Sequence, residues 1–169
     1  IVISDHGMIK VSGMIDIISP IKGLGLILGQ DYLVFLESAI AIFWFFNQSA
    51  KQKITEALER IKEGHILSQK EKQRFGIDFE GNQYGDLLFL VDAGKVIRPD
   101  YYRAKDIARA MHGYSPEVYK GIFITNLKIK EAQKINFIDI IPTIADFFNL
   151  GKIGQGRNFR LHRRVNNRC

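Results

Sequence analysis

A single cysteine occurs among the 169 residues, Cys169 at the last position. That excludes an internal disulfide framework and any CxxC metal knuckle, so stability must come from a packed core. A long hydrophobic run is also missing. The longest nearly apolar stretch, Leu33 to Phe46, is interrupted by Glu37 and Ser38 and is shorter than the ~20 residues a helix needs to cross a bilayer. No membrane span is therefore expected. Ile1-Val2-Ile3-Ser4 opens the chain without an initiator Met, a basic leader or a small-residue cleavage site, which predicts a processed piece or a fragment. The compartment stays open, the cytoplasm being favoured by the lack of disulfides and leader. Internal repeats and low-complexity segments are absent too.

Acidic residues are missing after position 151, where Lys152, Arg157, Arg160, Arg163, Arg164 and Arg168 stand. Those residues account for the whole net charge of +6, and without them 18 basic residues face 18 acidic ones. The body is electrically balanced and the basicity belongs to a tail, residues 152–169. Such a tail either attracts a polyanion or is a solvated, frayed terminus. Nucleic acid is not the expected partner, because the body offers no basic face interleaved with exposed aromatics.

What is present is ordinary globular composition, 46% apolar and 25% charged, enough for one core. Ile1 to Ser4 reads as a short buried strand ending in the Asp5-His6-Gly7 turn. Tyr32 to Phe46 is aromatic and β-branched, which predicts a hairpin or bent strand broken at Glu37-Ser38. Ile54, Ala57, Leu58 and Ile61 share one helical face, with Asn47 or Ser49 as cap and Glu63-Gly64 as stop. Ser68-Gln69-Lys70-Glu71 fits a capping box opening a short helix that ends before Gly76. Leu87–Val91 and Val96-Ile97 around Asp92-Ala93-Gly94-Lys95 predict a second hairpin. Together these elements suggest a small α+β subdomain at about 30–100. Gly121 to Thr125 reads as another buried strand. Phe137, Ile138, Ile141, Ile144, Ala145 and Phe148 outline a last amphipathic helix, stopped by Asn149-Leu150-Gly151.

Three places could carry chemistry. Asp5-His6 offers hard oxygen beside imidazole nitrogen at a strand end, a donor set suited to zinc, and Gly7 lets the chain turn so that both can face one ion. Alone, such a triplet is more often a hydrogen-bonded turn than a metal site. His112 sits in a loop bracketed by Gly113 and Pro116, where a histidine is a ligand, a structural group or a solvated one. Asp139-Ile140-Ile141-Pro142-Thr143 by itself is the opening of a helix.

Taken in order, the three resemble one family. Ser4-Asp5-His6-Gly7-Met8 is similar to the Ser-Asp-His-Gly-Met signature of type I phosphodiesterases and nucleotide pyrophosphatases, within the alkaline phosphatase superfamily. Met111-His112-Gly113-Tyr114 resembles the later His-Gly loop of those enzymes, and Asp139 to Thr143 the helix after it. Gly85-Asp86-Leu87-Leu88-Phe89-Leu90 also suits them. The resemblance covers residues 1–151 and implies the C-terminal part of an α/β domain: a mainly parallel sheet flanked by helices, with the α+β subdomain inserted.

The resemblance further implies two divalent metal ions, usually zinc, with Asp5 and His6 on one ion and His112 on the other. Paired cations stabilise the attacking and leaving oxygens of an in-line displacement on a phosphodiester or nucleotide pyrophosphate. A covalent phospho-enzyme is expected, its Ser or Thr nucleophile upstream of Ile1, since Ser4 and Ser12 do not match that position. The chain alone is therefore expected to lack a complete site and to need the N-terminal part of the domain. Tyr114 either contacts substrate or packs, and His65 and His162 are read as surface residues. Rival readings keep the fold but change the reaction, to another phosphoesterase, a sulfatase or a transferase. A rival of another class is an inactive fragment or polyanion-binding module.

Overall fold

The computed structural model of the chain describes residues 1–102, 108–118, 120–129 and 135–162. The elements, in order, begin with β1 (Val2–Ile3), β2 (Ile9–Lys10), β3 (Gly13–Ile15), α1 (Ile18–Lys22), β4 (Tyr32–Leu36) and β5 (Ile40–Phe45). Next come α2 (Gln48–Glu59), β6 (Gly64–Ile66), α3 (Gln69–Phe75), β7 (Leu87–Val91), β8 (Lys95–Ile97) and β9 (Ala110–Met111). The last are β10 (Phe123–Ile124), β11 (Lys128–Ile129), α4 (Ile140–Phe147) and β12 (Leu161–His162). The chain divides into two compact units, His6–Lys120 on one side and Ile1–Asp5 with Gly121–Cys169 on the other. None of the described helices is long and apolar enough to cross a membrane.

The larger unit is organised by an antiparallel sheet in the order β4-β5-β7-β6. Its central strands are apolar throughout because both faces are covered. Ala41 and Phe43 of β5, with Leu87, Phe89 and Val91 of β7, point into one cluster with Ile54 and Leu58 of α2 and Ile21 of α1. The alternate residues Ile40, Ile42, Leu88 and Leu90 pack on the other face with Leu67, Trp44 and Phe75. A period of two thus sorts one continuous apolar run into two cores.

The two helices here are set by local chemistry. Asn47 caps α2 by accepting from Ala50 N at 2.9 Å. Ser68 and Glu71 close a capping box on α3, which ends at Gly76 in the left-handed region. Asn47 rather than Ser49 is the cap, and Gly64, expected only as a stop, already opens β6.

The expected hairpin between Leu87–Val91 and Val96-Ile97 does not form. Both neighbours of β7 are already taken, by β5 and β6, so it has no free edge for β8. Instead β8 pairs with β3, Gly13 opposite Lys95 and Ile15 opposite Ile97, and this is the one parallel pairing among the described strands. The α/β class holds, while the mainly parallel sheet is represented by that pair alone.

In the smaller unit β1 pairs antiparallel with β10, and Ser4 extends the ladder by donating N–H to Ile122 O at 2.9 Å. Neither strand is buried as the sequence suggested: Val2 is 63% and Ile124 58% exposed. The expected apolar stripe of α4 is buried only in part: Ala145 is buried and Ile144 half-buried, whereas Phe137, Ile138, Ile141 and Phe148 are exposed, and Ile140 and Thr143, outside the stripe, are buried. The reason is polar. Thr143 Oγ1 donates to Asp139 O at 2.7 Å and accepts from Phe159 N at 3.2 Å, so the helix turns its hydroxyl side to the returning chain. Asn149, left-handed at φ 55°, ends the helix where expected.

The first part of the basic stretch is packed rather than frayed. Phe159 and Leu161 are buried, and β12 pairs with β11. Arg163, Arg164, Arg168 and Cys169 lie outside the described residues, as does the side chain of His162.

Candidate functional site

The histidine loops are brought together by a short antiparallel pairing within the larger unit. In it β2 lies on β9, Ile9 opposite Met111 and Lys10 opposite Ala110, and Val11 N donates to Arg109 O at 3.0 Å. The residues just before β2 and just after β9 must then meet. The rings of His6 and His112 stack, centroids 4.0 Å apart and planes 15° from parallel. His6 Nδ1 lies 2.9 Å from Gly7 O. A carbonyl only accepts, so this bond places the proton on Nδ1 and the lone pair of the neutral ring on Nε2, the arrangement found in metal-ligating histidines. On the other side Gly113, at φ 92°, makes the turn and brings the loop against the β4–β5 connection, where an added Cβ would meet Ala39 Cβ at 3.4 Å.

Asp5, exposed, precedes His6 directly but belongs to the smaller unit. Among the described residues no three His, Cys, Asp or Glu side chains are grouped so as to hold a metal ion. The fit to an ion is therefore partial: two imidazoles converge, and further donors are required.

A cavity of about 360 Å³ adjoins His112, and Met111, Ser38, Arg98, Asp100 and Tyr102 help line it. Sequence reasoning missed its main feature, a buried ion pair. Arg98 donates through a terminal guanidinium nitrogen to Asp100 Oδ2, the same oxygen that accepts from Ser38 Oγ at 3.2 Å. The Asp100 side chain is 1% exposed and that of Arg98 13%. Asp100 Oδ1 and Arg98 Nε are buried without a hydrogen-bond partner among the described residues. Each such orphan costs roughly 1–3 kcal/mol, and in native structures it points to strain or to function. The only hint in the sequence was a charged pair one residue apart just after a strand, which reads as an ordinary surface turn.

The remaining candidates have structural places. Tyr114 is buried in the main core cluster. His65, half exposed, holds Glu71 Oε1 at 3.0 Å and so supports the start of α3. Asp139 is 2% exposed and accepts from Asn136 N at 3.0 Å and Arg157 N at 2.7 Å, with the Arg157 guanidinium at 3.3 Å. Burial raises its pKa, but the backbone donors and Arg157 outweigh this and hold the carboxyl below its ordinary range.

No protein-family model and no curated protein matches this sequence. Solved structures do. Human ectonucleotide pyrophosphatase/phosphodiesterase 5 superposes with a TM-score of 0.68 at 17% identity, over 92% of this chain and 41% of its own. An inactive variant of the murine protein in complex with AMP gives a TM-score of 0.68 at 16% identity, over 93% and 41%. Phosphonoacetate hydrolase from Sinorhizobium meliloti 1021, in complex with phosphonoacetate, gives 0.50 at 17% identity, over 70% and 33%. At such identities the likeness is one of fold, and the chain has the alkaline-phosphatase-like α/β fold. It spans about two-fifths of the length of the pyrophosphatase/phosphodiesterase structures, 41% of the human one.

Proposed function

We propose that this chain is the C-terminal part of a metal-dependent hydrolase of phosphodiester or nucleotide pyrophosphate bonds. The stacking of His6 on His112, contributed by the two loops that resemble the family's metal-binding motifs, is the observation that carries the reading. The structural neighbours add weight, since their names are those of a pyrophosphatase/phosphodiesterase and a phosphonate hydrolase.

In this reading Asp5 and His6 hold one divalent ion and His112 the second, both most consistent with zinc for a carboxylate and imidazole donor set. The ions supply charge stabilisation for the attacking and leaving oxygens of a phosphoryl displacement. The chain's own residues provide position. Gly7 O fixes the tautomer and orientation of His6, β2 and β9 hold the two histidine loops in register, and Gly113 permits the turn that presents His112. The nucleophile and the remaining ligands come from the polypeptide that corresponds to the rest of the neighbours' length. The exposed apolar side chains of Val2, Ile3, Ile124 and Ile141 suit burial against that part.

The test is zinc analysis and turnover of a chromogenic phosphodiester by the full-length polypeptide that carries this chain. Bound zinc and turnover lost on His112→Ala and on Asp5→Ala are expected. A protein without metal, or one whose turnover survives both substitutions, overturns the reading.

A further inference from the structure

We propose that the cavity beside His112 is a recognition pocket for the alcohol side of the substrate, and that it takes a primary ammonium group. The inference rests on the reading above for the placement of the ester, and on its own observations for the pocket. Glu37 and Asp100 bring two carboxylates to the lining and Arg98 one guanidinium, so the pocket carries an excess negative charge. Arg98 is already committed, through its terminal nitrogen, to Asp100 Oδ2 and, at 2.9 Å, to Ile97 O. Asp100 Oδ1, nine-tenths buried and unpartnered, is the acceptor left over.

A primary ammonium has three N–H donors and no acceptor, which matches a leftover carboxylate oxygen beside a second, half-buried carboxylate. Arg98 Nε, the other atom without a partner, is a donor, and a hydroxyl or ester oxygen on the same small alcohol completes it. Both atoms are shielded in this conformation, so binding includes a side-chain movement that uncovers them, and Tyr102, 65% exposed on the lining, offers a ring face to the bound ammonium. A nucleobase, flat and uncharged, leaves the negative excess unanswered. The volume of about 360 Å³ is at the small end of ligand pockets and suits an amino alcohol.

The experiment is a backbone NMR titration of the full-length polypeptide that carries this chain, with ethanolamine, ethylene glycol and adenosine as probes. Ethanolamine is expected to shift the amides of Ala39, Tyr102 and Gly113 with a Kd on the order of 1 mM, and ethylene glycol and adenosine to bind roughly tenfold more weakly or not at all. Asp100→Asn should weaken ethanolamine roughly tenfold, and Glu37→Gln, at a half-buried site, should weaken it severalfold. If Asp100→Asn fails to fold, Glu37→Gln decides. Equal response to ethanolamine and ethylene glycol, tighter binding of adenosine, or ethanolamine binding indifferent to the charge-removing variants would overturn the proposal. A zinc titration of the same sample, followed at the His6 and His112 rings, reports separately on the hydrolase reading, so either can fail while the other stands.

Discussion

The imidazole of His6 lies face to face with that of His112, 4.0 Å between centroids, although 105 residues separate them in the chain. Neither spacing nor propensity demands this contact. It is enforced by two paired residues on each side, Ile9 with Met111 and Lys10 with Ala110. If the rings are metal ligands, removing either should lower zinc affinity of the full-length polypeptide by at least the 10- to 100-fold typical of losing a supporting group, roughly. His65→Ala, on the surface, should leave affinity unchanged. Competition titration with a chelating dye measures both, and equal effects of the three substitutions would sink the assignment.

Glu71 makes the acid stability of the larger unit readable. Hydrogen bonds from Ser68, side chain first and backbone second, with a further contribution from His65, lower its pKa from 4.5 to about 2. A carboxylate depressed in the folded state contributes stability fully above its unfolded pKa and loses it as pH falls through the folded one. The loss attributable to this group therefore falls between about pH 4.5 and 2. Glu71→Gln should flatten hydrogen-exchange protection of α3 across that window, and Ser68→Ala should cost about 1 kcal/mol at neutral pH. A pH profile identical in wild type and Glu71→Gln would refute the account.

How much of this was legible depended on the range of the interactions. Helices α2 and α3 were readable because Asn47, Ser68 and Glu71 act within a few residues and the apolar period sits on one short segment. The strand Leu87–Val91 was readable as a strand, but its partners were not: β8 follows at once in sequence, yet β5 and β6 had already taken both edges. The stripe of α4 misled because hydrophobicity alone ranks Phe137 and Ile141 above Thr143, while the buried side is chosen by hydrogen bonds to residues 157–159. His6 and His112 were marked by resemblance to a motif, and the pair Arg98 and Asp100 only by its spacing, since its hydrogen-bond partner Ser38 lies 62 positions from Asp100.

Gly156 is held where no side chain fits. A Cβ there would stand 2.0 Å from Ile138 O and 2.8 Å from Asp139 Cα, both backbone atoms that cannot swing away. Gly156→Ala should therefore destabilise the smaller unit by roughly 3 kcal/mol or more, the upper range for overpacking. Gly23 is the control: it has φ −71° and its nearest atom, Pro20 O, lies 3.8 Å from a built Cβ. Gly23→Ala should be neutral or stabilise by about 0.4–1 kcal/mol by restricting the unfolded chain. Urea unfolding of the two variants checks the contrast.

Asp139 ties that same returning segment to α4, and its removal tests whether the basic stretch is packed by design. Asp139→Ala deletes the acceptor of Asn136 N–H, Arg157 N–H and the Arg157 guanidinium at once, in a site 2% exposed. Hydrogen bonds to a charged group are worth roughly 1.5–3 kcal/mol each, partly offset here because the Arg157 side chain is 72% exposed and rejoins water. A net loss of about 3 kcal/mol is expected, with early protease cleavage after Arg157 or Arg160 as β12 lets go of β11. Because the folded pKa of Asp139 is depressed, acid should act on the wild type in the same direction: its contribution is complete above the ordinary carboxylate range and declines as pH falls below it. Limited proteolysis followed by mass spectrometry distinguishes the outcomes. If cleavage in residues 157–162 is as slow in Asp139→Ala as in the wild type, the carboxylate is not what holds this segment, and burial of Phe159 and Leu161 alone must do so.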